Sequence, residues 1–169
     1  MVASKTGLNS LKTVRRRYKL EIGCTKIGGL RMNVTLAIEK ARSLKGAKWR
    51  HLGRKPWAVD CIGLVIMSLR AGGVRMQDRT NYGREPWKDG LEHDMQMHFG
   101  DPLLVSERCA GDIVLMKDDG APAAGHVGIV TEVDSVIHSY SQTGVVEHCI
   151  DDEWIRRMTC VYRPQWGST

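Results

Sequence analysis

The segment Asp60-Cys61-Ile62-Gly63-Leu64-Val65 opens an apolar run that is followed by Gly72-Gly73. An apolar run between a capping residue and a glycine pair predicts a helix over residues 61–69, with Asp60 as its N-cap. The first N–H groups of a helix have no partner within the helix and carry partial positive charge. A cysteine at such a position is expected to have a lowered pKa and to act as a nucleophile, because the thiolate is the reactive form.

Two histidines downstream offer a base for this thiol. His126 opens the strand-like run Gly125-His126-Val127-Gly128-Ile129-Val130, and His138 lies in a second such run, residues 136–140. Asp134-Ser135 between the runs is typical of a turn, so a hairpin is predicted. A thiol, a base and a group that orients the base form a nucleophilic site. His138 is the first choice for the orienting group, and Gln142 or Ser139 are alternatives.

Cysteine and histidine are also zinc ligands, so the same residues have a second interpretation. A closed zinc site needs four ligands, and none of the other cysteines forms a C-x-x-C pair; these are Cys24, Cys109, Cys149 and Cys160. The sequence therefore favours a site without metal or cofactor. The four cysteines are expected to be reduced thiols, and no disulfide is predicted.

The order of elements predicts an α+β fold. Helices are expected over residues 33–45, with Asn33 as N-cap, then over the cysteine helix and residues 91–99. A loop is expected from Trp49 to Val59, leading into the cysteine helix. The pattern then changes to strands at residues 112–116, 127–133, 136–140, 145–149 and 159–162, with a helical turn at 154–158. Helices followed by an antiparallel meander are typical of this class.

The net charge of +6 is concentrated at the start of the chain. Residues 1–31 carry eight Lys or Arg and one acidic residue, a net +7, while residues 32–169 carry 17 basic and 18 acidic residues, a net −1. We therefore predict a basic N-terminal extension over residues 1–31 and one domain over residues 32–169. The domain itself is not expected to bind nucleic acid.

The cysteine and histidine motifs together resemble the NlpC family of papain-like cell-wall cysteine peptidases. Gly111-Asp112-Ile113-Val114 and Ile137-His138 add to the match, as does the twelve-residue step between the histidines. The resemblance implies a papain-like fold, in which N-terminal helices and a nucleophile-bearing helix pack on an antiparallel half-barrel. It also implies a cysteine endopeptidase that cleaves peptidoglycan stem peptides or cross-links, with Cys61, His126 and His138 as catalytic residues.

Within that family, Trp49-Arg50-His51-x-Gly53-Arg54 resembles proteins encoded among the tail genes of phages and gene-transfer particles. Peptidoglycan and tail proteins would then be the partners. Asp60 and Trp49 are assigned to substrate binding by the same resemblance. Ile62 stands where relatives of known specificity usually carry serine, and Trp49 where they usually carry tyrosine. These departures leave open a structural tail-tip protein with weak or no hydrolysis, or an amidase or transferase that uses the same thiol.

The longest uncharged apolar run, residues 61–69, is too short to span a bilayer. The basic start of the chain lacks the apolar core of a secretory signal. We therefore expect synthesis in the cytoplasm without a signal peptide, followed by release on lysis or incorporation into a virion tail.

Overall fold

The computed structural model describes residues 28–166, and the basic segment up to residue 27 lies outside them. Its helices are α1 (Gly28–Ser43), α2 (Cys61–Ala71), α3 (Leu91–Phe99) and α4 (Asp152–Arg157). Its strands are β1 (Lys48–Trp49), β2 (Arg54–Lys55), β3 (Ala58–Val59), β4 (Ile113–Met116), β5 (His126–Glu132), β6 (Ser135–Tyr140), β7 (Gly144–Cys149) and β8 (Met158–Tyr162). Single 3₁₀ turns lie at Pro86–Asp89 and Val105–Glu107.

The main sheet has five antiparallel strands in the order β7-β6-β5-β4-β8. Helix α2 packs against β5 and β6 on one side and against α1 on the other. Because α2 is surrounded by other elements, its side chains from Cys61 to Leu69 are apolar except for Ser68, which donates to the carbonyl of Leu64, as expected for a buried helix. The α+β class and the packing of the nucleophile helix on an antiparallel sheet are confirmed.

Helix α2 begins and ends where its sequence predicts. The side chain of Asp60 accepts a hydrogen bond from the N–H of Gly63 at 2.7 Å, which is an N-cap bond, and Gly72 is the C-cap. The close approach of the preceding loop explains the glycine at position 63, because a Cβ there would clash with the carbonyl oxygen of Gly53. The cysteine is thereby fixed at the first position of a rigid, buried helix.

Two local predictions are wrong. Helix α1 begins at Gly28, so Asn33 lies inside it and is not its N-cap. The segment between Trp49 and Val59, predicted as a loop, contains a small three-stranded sheet in the order β1-β3-β2. Strands of two residues are too short to show alternation in a sequence. The boundary at residue 32 stays a prediction, since most of the segment before it lies outside the described residues.

Among the described residues, none of the helices combines the length and the apolar character needed to cross a membrane.

Candidate active site

The predicted nucleophile and base share one cleft. Cys61 at the start of α2 and His126 at the start of β5 both line it, and each is less than one-tenth exposed. Trp49 and Asp60, the two residues assigned to substrate binding, lie in its wall as well. The first residue of a helix and the first residue of a strand thus meet at one end of the sheet. This is where a thiol and a base must lie to act on one substrate.

The environment of Cys61 differs from the sequence expectation. Burial, with the Asp60 carboxylate as the second cause, raises the pKa of the Cys61 thiol to about 12. Hydrogen bonds from the backbone of Val127, Ile62 and Cys61 favour the thiolate but do not offset burial. The helix start does present N–H groups to the sulfur, yet the loss of water outweighs them. Without substrate, Cys61 is a protonated thiol at neutral pH, and the expected lowering of its pKa is wrong.

His126 and His138 are joined by a hydrogen bond. Nε2 of His126 and Nδ1 of His138 lie 2.8 Å apart, and the two rings are nearly perpendicular. Gly128 pairs with His138 in the antiparallel ladder, and His126 lies two residues before Gly128 on the same face. The histidines are therefore diagonal neighbours across two strands, a separation that long side chains can bridge.

The two alternative orienting groups lie elsewhere. Ser139 donates its hydroxyl to the carbonyl of Val59 at 2.8 Å and so ties β6 to the strand before α2. Gln142 is exposed in the turn between β6 and β7. Of the three candidates, the structure brings His138 alone into hydrogen-bond contact with His126.

A third histidine, His148, extends this pair. Nε2 of His138 lies 2.8 Å from Nε2 of His148, and Nδ1 of His148 lies 2.9 Å from the carbonyl oxygen of Cys149. His148 is half-buried beside Trp154, with ring centroids 4.3 Å apart. The diagonal step repeats here, since His138 pairs with Val146 and His148 lies two residues further along β7.

Burial keeps the two inner histidines neutral. It lowers the pKa of His126 to about 4 and that of His138 to about 3, from an ordinary value near 6.5. Arg157 adds to both shifts through its positive charge. A neutral imidazole has one N–H and one lone pair, so each ring can both donate and accept one hydrogen bond. At neutral pH, His126 is therefore available as a proton acceptor.

These shifts predict a loss of stability in mild acid. Below pH 6.5, His126 and His138 become protonated in the unfolded chain but stay neutral in the folded chain. The free energy of unfolding therefore falls as pH drops from about 6.5 towards 4. Thermal unfolding between pH 6.5 and 4.5 should show this slope, and a His126→Gln/His138→Gln variant should flatten it. Glu147 does not interfere, because its lowered pKa of about 2 makes it contribute only below pH 4.5. A His93→Gln variant is the control and should keep the wild-type slope of stability against pH. The prediction would be contradicted if the double variant showed that same slope.

Asp60 is the centre of a buried polar network. One carboxylate oxygen accepts from Gly63 N–H at 2.7 Å and from Arg54 at 3.0 Å. The other accepts from Leu52 N–H and from the Tyr82 hydroxyl, both at 2.7 Å. A substrate amine would have to displace one of these donors to reach the carboxylate. The substrate-binding role of Asp60 stays a prediction, while its role in holding the start of α2 is visible.

Aromatic rings form one wall of the cleft. Trp49 stacks on His51, with centroids 6.3 Å apart, and His51 meets the edge of Tyr82 at 5.6 Å. His51 lies in the turn after β1 and is half-buried between these rings. Tyr82 supplies a hydroxyl in the cleft, which Trp49 cannot, although this hydroxyl is engaged with Asp60. Substrate binding by Trp49 stays a prediction.

Trp87 closes another part of the cleft beside the base. It packs on Gly125, where a Cβ would clash with the indole ring, so glycine is required directly before His126. Its indole N–H is buried and has no hydrogen-bond partner among the described residues. Within residues 28–166 there is also no group of three or more His, Cys, Asp or Glu arranged to hold a metal ion.

A helix-start thiol that shares a cleft with a strand-borne histidine, itself hydrogen-bonded to a further polar side chain, is the arrangement of papain-like thiol enzymes. The sequence profile of the NlpC/P60 family matches residues 46–163. The chain therefore belongs to the NlpC/P60 family. The matched region contains both the cysteine helix and all strands of the main sheet.

Individual relatives agree with this assignment. The chain is 25% identical over 114 residues to the protein named "Probable endopeptidase NlpC" of Escherichia coli K12. The aligned region covers 68% of this chain and 66% of that protein. The chain thus spans slightly less than two-thirds of the length of this curated relative.

Solved structures share the fold at low identity. NlpC2 of Trichomonas vaginalis superposes with a TM-score of 0.60 at 18% identity, covering 90% of this chain and 51% of that one. An NlpC/P60 family protein of Bacillus cereus superposes with a TM-score of 0.57 at 16% identity, and the match covers 77% of this chain and 39% of that one. The NlpC/P60 domain of the peptidoglycan hydrolase SagA superposes with a TM-score of 0.55 at 20% identity, and the match covers 76% of this chain and 97% of that one. The papain-like fold is confirmed.

Proposed function

We propose that this chain is a cysteine endopeptidase that hydrolyses amide bonds in peptidoglycan stem peptides or their cross-links. The observation that carries the proposal is the shared cleft of Cys61 and His126, with His138 hydrogen-bonded to the base. The substrate class rests on the relatives, one of which is named a probable endopeptidase and another a peptidoglycan hydrolase.

The reaction begins from a neutral pair. Cys61 holds its proton and His126 lacks one at neutral pH, because burial shifts their pKa values in opposite directions. His126 therefore acts as a general base while the sulfur attacks the substrate carbonyl, rather than as half of a preformed ion pair. It then returns the proton to the leaving amine. Water hydrolyses the resulting thioester and regenerates the thiol.

The start of α2 supplies the group that stabilises the developing negative charge. The N–H of Gly63 is occupied by the carboxylate of Asp60, whereas the N–H groups of Cys61 and Ile62 are directed at the sulfur. A donor beside the nucleophile stabilises the tetrahedral oxyanion, and removing one such donor in comparable sites costs about 2.7–4 kcal/mol in the barrier. Asp60 thus contributes indirectly by fixing the helix start.

The biological setting in the proposal is a phage-type tail or gene-transfer particle, where the enzyme would open the wall during DNA delivery. The support is the resemblance of Trp49-Arg50-His51-x-Gly53-Arg54, in which Trp49 and His51 line the cleft and Arg54 binds Asp60. Incorporation into the virion tail or release on lysis would bring a protein made in the cytoplasm to the wall.

A structural tail-tip protein with little hydrolysis is the second candidate. It is favoured by Trp49 in place of the usual tyrosine and by Ile62, whose side chain is buried in the core where relatives carry a hydroxyl. Digestion of purified sacculi, with mass spectrometry of the soluble fragments, separates the candidates. New amino and carboxyl termini within stem peptides support the endopeptidase. Cleavage between sugar and peptide would indicate an amidase, and an absence of fragments would favour the structural role.

A further inference from the structure

The feature that the proposed reaction leaves unused is the outer end of the histidine series. We infer that His148 is a positioning residue that fixes the tautomers of His138 and His126 and so leaves Nδ1 of His126 unprotonated, ready to take the proton of Cys61. The inference rests on the proposed function for the identity of the reaction, but the direction of the hydrogen bonds follows from the geometry of the three rings when each ring carries one proton.

The direction is set at the carbonyl of Cys149. A carbonyl oxygen only accepts, so Nδ1 of His148, 2.9 Å away, carries the hydrogen. In the neutral ring, Nε2 of His148 then carries no hydrogen and can only accept. Nε2 of His138, 2.8 Å away, must donate to it. The terminal carbonyl thus decides which nitrogen of the next ring is protonated.

The same reasoning passes to the base. A neutral His138 that donates through Nε2 has its lone pair on Nδ1, so Nε2 of His126 donates to it across 2.8 Å. Nδ1 of His126 is then unprotonated, and none of the described residues forms a hydrogen bond with it. Burial lowers the pKa values of His126 and His138, which keeps one proton on each ring and makes the series of donors one-directional.

Packing around the rings preserves this order. The Trp154 ring lies 5.0 Å from His138 and 4.3 Å from His148, and the Arg157 guanidinium lies over the Trp154 ring, 5.0 Å from its centroid. Phenylalanine at position 148 would retain the contact with Trp154 while removing both nitrogens. This substitution therefore separates hydrogen bonding from packing.

Three substitutions of His148 test the inference. His148→Phe removes the acceptor, His148→Gln restores an acceptor through its amide oxygen, and His148→Lys offers only donors and would reverse the direction of the series. His93→Phe, on an exposed face of α3, is the matched control. The full chain is used throughout, and thermal unfolding verifies that each variant is folded.

The first measurement is the tautomer of His126, read from long-range ¹H–¹⁵N correlations of the imidazole rings. The wild type should carry its hydrogen on Nε2, whereas His148→Phe should give a mixture and His148→Lys should favour hydrogen on Nδ1. This measurement needs no substrate, so it remains informative if peptidoglycan is not the substrate. Hydrogen on Nδ1 of His126 in the wild type would overturn the inference even if no variant folds.

The second measurement is turnover of a soluble stem peptide. His148→Phe should lower kcat about tenfold, part of the full effect of a general base, and leave KM within about twofold. His148→Gln should recover most of the loss, and His148→Lys should be worse than His148→Phe. A folded His148→Phe variant with wild-type kcat and an unchanged His126 tautomer would show that His148 only packs. If the variants change the His126 tautomer but the wild type shows no turnover, the result would contradict the proposed function and not the role of His148 in fixing the tautomers.

Discussion

Replacing Cys61 with alanine is expected to abolish peptidoglycan hydrolysis, with kcat/KM falling at least about 10⁴-fold. The cleft contains no other thiol, since the remaining described cysteines lie outside its lining. Alanine keeps the helix start and removes only the sulfur, so folding should be unaffected. Initial rates on a soluble cross-linked stem peptide measure the effect.

Cys149→Ala is the matched control for this prediction. Cys149 is an exposed thiol at the end of β7, so the same substitution there should leave the rate within about twofold of the wild type. Equal rates for Cys61→Ala and the wild type would exclude Cys61 as the nucleophile. An absence of hydrolysis by both proteins would instead favour the structural tail-tip candidate.

Replacing Asp60 with alanine is expected to lower the free energy of unfolding by about 2–4 kcal/mol. The reason is burial: the side chain of Asp60 is 4% exposed, and the change removes one of the two carboxylates that pair with the Arg54 guanidinium, leaving Asp78 as the other. It also leaves the N–H groups of Leu52 and Gly63 without their acceptor. Urea unfolding monitored by fluorescence gives the value.

Glu132→Ala provides the comparison for an ion pair of low energetic weight. Arg42 and Glu132 are 40% and 70% exposed, so this change should cost at most about 1 kcal/mol. If Asp60→Ala were no more destabilising than Glu132→Ala, the network would not hold the helix start as described.

The parts of the fold that the sequence predicted are those with long, regular patterns. Helix α2 has a capping aspartate, a continuous apolar run and a terminal glycine, so both of its ends could be read. The longer strands of the main sheet contain runs of β-branched apolar residues, and the hairpin turn between β5 and β6 was recognisable. The short strands β1 to β3 contain no such run.

The site was predictable where residues act through adjacent motifs and not where they act through tertiary contacts. Arg54 lies in the two-residue strand β2 and Tyr82 in a loop, and only folding brings them to Asp60. His148 could have been found, because a tight turn between β6 and β7 pairs His138 with Val146 and leaves His148 on the same face. The raised pKa of the Cys61 thiol could not have been predicted, because a helix start is recognisable from local sequence whereas burial depends on the whole fold.

Partitioning with hydroxylamine tests acyl transfer through Cys61 most directly. An acyl-enzyme reacts with hydroxylamine to give a hydroxamate, whereas direct attack by water gives only a carboxylate, and this holds even when the intermediate does not accumulate. We expect the wild type to release stem-peptide hydroxamate in proportion to added hydroxylamine, and His126→Ala and Cys61→Ala to form none above background. Efficient cleavage that yields only carboxylate, with no acyl adduct on Cys61 in the acid-quenched protein, would contradict a cysteine nucleophile.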